Sequence, residues 1–254
     1  MRFEEMTTQE AARARDSGSV VLLPVGSIEP HGPHLPLSTD ILIAEETARL
    51  AAARLEAAGV RTLILPSFVF STVEFSEGFA GATGLSAESA GRALAEILAS
   101  ILIQGFRAVV AVNAHLEPAH IAALRASIEE AARRAAGRQP VFPDITRRAL
   151  AARLTEEFRS GACHAGRYET SLVMAVRPDL VEEEIRKSLP RIDVSLVEAI
   201  RLGRRTFREA GLDRAYCGDP AAASAEEGRA TYEVLAAIVA EEVLKSIRHA
   251  PSGS

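Results

Sequence analysis

Apolar positions along this chain fall into two rhythms that take turns. SVVLLPV (19–25), RTLILPSFVF (61–70) and FRAVVAVN (106–113) are continuous, β-branched runs, the mark of strands buried on both faces. Between and after them lie segments of helical period: DILIAEETARLAAARLEAAG (40–59), LSAESAGRALAEILASILIQG (85–105) and EPAHIAALRASIEEAARRAAG (117–137). Asp40 and Ser86 stand where N-caps belong, Pro118 sits in a first turn where a missing N–H costs nothing, and a glycine closes each segment. Ahead of the first strand, Thr7-x-x-Glu10 resembles a capping box opening the helix TQEAARARDSG.

Strand and helix therefore alternate at βαβ spacing. This predicts an α/β fold in three layers, a mostly parallel sheet flanked by helices. QPVFPD adds a short fourth strand, and beyond residue 145 the pattern loosens. TRRALAARLTEEFRSG reads as helical, ETSLVMAV as helix or strand, VEEEIRK as a short charged helix, and residues 225–249 as a long amphipathic helix. No repeat or linker interrupts the chain, so residues 1–250 are expected to form a single domain, with PSGS (251–254) a disordered tail.

Composition narrows the partners. The 254 residues are 48% hydrophobic and 25% charged, ordinary for a globular chain. Aromatics make up 5% and tryptophan is absent, so the core must be aliphatic. A net charge of −5 and a pI near 5.8 argue against nucleic acid. The basic cluster Arg201, Arg204, Arg205 and Arg208 is interleaved with apolar residues and Glu209, as on a solvated helix face. Two cysteines are too few for a disulfide framework. With a polar N-terminus and no uncharged stretch of about 18 apolar residues, no membrane partner is expected and the location expected is the cytoplasm.

In a doubly wound sheet, ligands bind at the carboxyl ends of the strands, and two loops there are chemically loaded. GSIEPHGPHLPLSTD follows the first strand and NAHLE the third. Glu29 and His31 lie two apart, so on extended backbone their side chains share a face. His115 and Glu117 repeat the arrangement, and Asp40 returns after a loop stiffened by Pro33 and Pro36. Each residue alone has a plain structural role: a hydrogen-bonded histidine, a helix cap, a solvated loop carboxylate. Together they are carboxylate and imidazole ligands in a number that exceeds what one catalytic zinc takes from protein and suits two ions sharing a carboxylate. His34 reads as a partner orienting a ligand, a ligand, or an exposed loop residue; His120 as structural. CHAGRYETS (163–171) places His164, Arg167, Tyr168 and Glu169 together, either as a proton donor with substrate contacts or as a helix start with an acidic first turn. Asp219 and Ser224 suit turn and cap roles.

PVGSIEPHGPHLPLSTD (24–40), VNAHLE (112–117), HAGRYETS (164–171) and, more loosely, CGDPAAASAEEG (217–228) resemble, in order, the motifs of the creatininase family of metal-dependent amidohydrolases. The resemblance implies a creatininase-like α/β fold, a homo-oligomer such as a hexamer, and two divalent ions, zinc and/or manganese, with iron an alternative. Glu29, Asp40 and His115 would hold one ion. His31, Asp40 and a further carboxylate would hold the other, with Asp40 bridging. Spacing favours Glu117 for that carboxylate, and for a share in catalysis, while Glu169 remains open as ligand or neighbour. His164 corresponds to the family's active-site histidine. Arg167, Tyr168 and, on the loop at 71–84, Glu74 are expected at the substrate. Departures from the family pattern are Ala114, Pro118, Phe75, Ala80 and Ala82, and the lack of tryptophan, which together argue against creatinine itself.

The expected reaction is hydrolysis of a small amide, cyclic amide or formamide: a water shared by the metals attacks the carbonyl, and His164 protonates the departing nitrogen. The alternatives are a peptidase acting on a small peptide, a hydrolase opening a cyclic keto-sugar, and a non-catalytic assembly protein that keeps the fold.

Overall fold

The computed structural model describes residues 1–249, and the tail expected at 251–254 lies outside the described residues. The central strand β1 (Val20–Val25) is buried along its whole length. It pairs in parallel with β2 (Thr62–Ile64) on one side and β3 (Ala108–Asn113) on the other, giving the order β2-β1-β3. Val20 faces Thr62 and Ala108 across this register, and Val25 faces Asn113.

Side chains alternate across the pleat and sort the helices into layers. Val21, Leu23, Leu63, Val109 and Ala111 pack against α1 (Thr8–Asp16), α3 (Ala87–Ile103) and α4 (Pro118–Arg134). Val20, Leu22, Ala108, Val110 and Val112 face α2 (Thr39–Ala57) and the long final helix at Ala225–His249. The result is the three-layer α/β arrangement, built on aliphatic burial. Leu94, Leu98 and Leu102 line one stripe of α3 and are wholly buried, each contributing on the order of 2 kcal/mol of transfer free energy.

Helix ends match their signals closely. The Thr7–Glu10 capping box forms on α1, Ser86 caps α3, and Pro118 opens α4. One cap differs in a way that matters. Ser38, not Asp40, occupies the N-cap position of α2, so the Asp40 carboxylate sits in the first turn, free of capping duty.

The sheet is smaller than the apolar runs suggest, and prolines are the reason. β2 stops before Pro66, which cannot donate to a ladder; the chain touches β1 again only where Val25 pairs with Phe68. Val141, between Pro140 and Pro143, makes a single parallel bridge to Val110 instead of a strand. The helical stretch at 146–161 breaks into α5 (Arg148–Ala151) and α6 (Glu156–Ser160), the second capped by Thr155. ETSLVMAV resolves as α7 (Arg167–Val176), the charged segment as α8 (Glu183–Ser188), followed by α9 (Leu196–Arg201) and α10 (Ala225–His249). Tyr168 and Leu172 of α7 pack with Ile43 of α2 and with Tyr232, Leu235 and Ile238 of α10, pressing α7 toward the carboxyl ends of β1 and β3.

Candidate metal centre

The loop leaving β1 turns immediately beneath α2. At Gly26 a Cβ would stand 2.7 Å from the backbone nitrogen of Ile41, so only glycine lets the loop pass this close to the helix start. The approach brings Glu29 and His31 against Asp40 of α2. His115 enters from the end of β3, Glu169 from the first turn of α7 and His164 from the segment before it. All six are buried.

Asp40 offers one oxygen to each of two imidazoles: Oδ1 lies 3.2 Å from His31 Nε2 and Oδ2 lies 2.9 Å from His115 Nδ1. Glu29 Oε1 is 3.2 Å from His115 Nδ1 and 3.9 Å from both His31 Nε2 and His164 Nδ1. Glu169 Oε2 is 3.4 Å from His31 Nε2. The far nitrogen of every imidazole is tied to main chain. His31 Nδ1 donates to Glu29 O at 3.1 Å, His115 Nε2 to Thr72 O at 2.8 Å and His164 Nε2 to Pro30 O at 2.9 Å. Those bonds set the tautomers and aim the remaining lone pairs inward.

The electrostatics are severe. Burial by itself would strip the proton from His31, but Asp40, Glu169 and Glu29 outweigh it and raise its pKa to about 10. His115 likewise is driven well above its ordinary value by Glu29 and Asp40 against the effect of burial. Burial raises Glu169 to about 8, only partly opposed by His31. His164 goes the other way: burial and then the His31 charge lower it to about 4.

The donor set fits divalent cations. Yet His31 Nε2, His115 Nδ1 and Asp40 Oδ2, all buried, have no hydrogen-bond partner of acceptable geometry among the described residues. Buried polar atoms left so are costly, and several carboxylates packed together more so, unless a cation lies between them. Three groups have their ligand atoms within 4.8 Å of one another: Glu29 with His31 and His164, Glu29 with His115 and Glu117, and His31 with Asp40 and Glu169. Imidazole and carboxylate together suit zinc or manganese.

Several expected residues stand elsewhere. Glu117 groups with Glu29 and His115 instead of with His31 and Asp40, where Glu169 stands. The Glu117 carboxylate turns toward the loop at 72–75, accepting from the Thr72 hydroxyl and, at 3.1 Å each, from the amides of Glu74 and Phe75. Arg167 leaves the site altogether, pairing with Glu227 over a separate surface cleft. Tyr168 is buried against Phe158, with ring centroids 4.9 Å apart, and does not line the cavity over the cluster. Neighbours on a helix turn by about 100°, so Glu169 cannot share its heading with the two residues before it. Glu74 faces an adjoining groove. His34 sits behind the cluster with Nε2 2.9 Å from Thr170 Oγ1, and burial lowers its pKa to about 4. His120 donates to Asn113 Oδ1 at 2.8 Å, while Asn113 Nδ2 donates to His115 O at 2.7 Å, steadying the ligand-bearing loop.

Other residues at the site were not singled out from sequence. Ser76 donates to Glu29 Oε2 at 2.8 Å. Phe207 stacks on His164, centroids 4.3 Å apart at 26°, and meets Phe75 edge to face. Ser76 belongs to the loop flagged as pocket lining, but nothing near Phe207 distinguishes it within its basic stretch. Over the cluster lies a cavity of about 260 Å³ walled by Phe75, Leu116, Leu196, Val197, Ile200 and Phe207, with Arg159 on its margin. It adjoins a groove of about 930 Å³ that shares Phe75, Glu117, Pro118 and Ile200 with it.

A family model, Creatininase, described as creatinine amidohydrolase, matches residues 4–243. The chain is 30% identical over 254 residues to a "Mycofactocin precursor peptide peptidase" of Mycobacterium tuberculosis, covering 97% of this chain and 92% of that one. A crystal structure of creatinine amidohydrolase superposes with a TM-score of 0.74 at 25% identity, covering 97% of both chains. One described as "Creatininase Mn" superposes at 0.73 with 23% identity, over 97% of this chain and 98% of that one.

Proposed function

The chain belongs to the creatininase family, and from that premise we infer that it is a metal-dependent amidohydrolase cleaving the C–N bond of an amide that carries an apolar group. One observation carries the reading: buried carboxylates and imidazoles from four separate segments converge, with three of their polar atoms unpartnered. Glu29, Asp40 and His115 would hold one divalent ion, and His31, Asp40 and Glu169 a second. Zinc and/or manganese, with iron as an alternative, would supply an acidified water and a Lewis acid for the carbonyl.

The remaining work falls to the chain itself. His164 donates through Nε2 to Pro30, which leaves Nδ1 as the acceptor beside Glu29. With Nδ1 as its acceptor, it is placed to take a proton from the attacking water and return it to the departing nitrogen. That order refines the simple proton-donor role expected from sequence. Phe207 keeps the ring in place and, with Phe75, excludes bulk water from it. Glu117 holds the loop at 72–75, whose Thr72 carbonyl orients His115. Among the described residues, Arg159 supplies the cavity's guanidinium, the group a substrate anion would meet.

Asp40→Asn or His31→Ala should abolish turnover across a panel of N-acyl amides while leaving the circular dichroism spectrum and Tm close to the parent's. Undiminished activity in either variant would remove the two-metal reading. A chain that takes up negligible metal after remetallation would instead be a scaffold.

A second reading, a peptidase, is favoured by the 930 Å³ groove running on from the cavity, which gives an extended chain room beyond the scissile bond, and by the peptidase relative. Peptides in the same panel separate the two. Creatinine is a poor candidate, since the chain has no tryptophan to close over a flat ring.

A further inference from the structure

Glu157, on α6, takes no part in the chemistry described above and touches none of the metal ligands. Its carboxylate is nevertheless placed with unusual care. Oε2 accepts the amide of Tyr168 at 2.6 Å, and Oε1 accepts the amide of Asp219 at 2.7 Å, with the Arg167 amide alongside. Two glycines make room for it. A Cβ on Gly166 would fall 2.7 Å from Oε2, and one on Gly218 would fall 2.2 Å from Oε1.

The two amides belong to elements that build the site. Gly166, the N-cap of helix α7, offers no side-chain cap, so the first-turn N–H groups depend on an acceptor from elsewhere. Glu157 is that acceptor, and as an anion it also suits the positive end of the helix dipole. The same first turn carries Glu169, whose Oε2 accepts the Ala165 amide at 2.6 Å and faces His31. The second amide lies two residues past Cys217, which donates its N–H to the carbonyl of His164 at 2.9 Å. One carboxylate thus ties the segment that holds His164 to the helix that presents Glu169.

We propose that Glu157 is a positioning residue that fixes His164 and Glu169 relative to each other, acting through the amides of Tyr168 and Asp219. The consequence for metal affinity rests on the metal-centre reading above; the consequence for backbone order does not. A glutamine at 157 keeps the shape but turns an NH₂ toward one of the two amides, leaving that amide without an acceptor.

The test uses metal-depleted full-length protein and the variants Glu157→Gln and Glu157→Asp, read by hydrogen exchange and by titration with zinc chloride. Glu157→Gln should accelerate exchange at 164–169 and 217–219 selectively and weaken the looser zinc site at least about tenfold, the range for groups that orient metal ligands. Glu157→Asp, which keeps the anion, should recover part of both. Exchange and zinc affinity equal to the parent's would overturn the proposal. So would protection lost evenly along the chain, or altered exchange with unchanged zinc affinity, since either marks a merely structural carboxylate. A parent that binds no zinc would sink the metal-centre reading, while the exchange pattern still decides for or against Glu157.

Discussion

His34 illustrates how strongly position governs a side chain in this molecule. Buried beside Thr170, it is held near pKa 4 by burial and then by the charges of His31, Arg186 and Arg214. Its folded value lies below the ordinary 6.5, so between about pH 4 and 6.5 the unfolded chain binds the extra proton. Stability is therefore complete above that window and falls as pH drops through it, by on the order of 3 kcal/mol from this residue. His164 and His120 share the sign. Denaturant melts of metal-depleted His34→Asn at pH 7 and pH 4.5 should show a smaller loss than the parent, and an equal loss would refute the assignment. At this scale the two-apart pairs were legible: Glu29 with His31, and His115 at the end of a strand, need only extended backbone to share a face. Which of Glu117 and Glu169 comes beside His31 and Asp40 was not legible, because it depends on how α7 and the loop at 72–75 are turned, and local spacing carries no record of either. Arg167 and Tyr168 were misplaced for the same reason, being a helical step or two away from the direction that faces the cluster.

Elements were read best where a cap and a period agreed, as in α1, α3, α4 and α10. They were read worst where proline interrupted an apolar run, since hydrophobicity continues through Pro66 and Pro143 although the ladder cannot. The junction of β1 with α2 is the most exacting contact of this kind. Gly26→Ala would drive a methyl group into the backbone between Asp40 and Ile41. The expected outcome is a loss of roughly 1–3 kcal/mol, as for other overpacked sites, together with weaker zinc binding because Asp40 moves with the helix start. Calorimetry paired with zinc titration checks both. Full affinity at reduced stability would show that Asp40 is placed independently of this contact.

For the whole molecule, the alternation of strand and helix was enough to reach the three-layer architecture, because a sheet buried on both faces leaves few other ways to cover it. The chemistry was legible only as far as the strand ends. Phe207 arrives from a segment with no regular pattern and Arg159 from the short helix α6, and only the tertiary fold brings them to the cavity. We propose that residues 1–250 form one folding unit. Limited proteolysis should then produce no pair of stable internal fragments, and a persistent pair would contradict this. Finally, the imidazoles that face the cluster are leashed to peptide carbonyls, whereas one side of the cavity wall comes from side chains of α9. Engine and mouth are thus made of different material. A lineage, or an engineer, can refashion what enters by altering Leu196, Val197 and Ile200 and leave the reactive machinery as it stands.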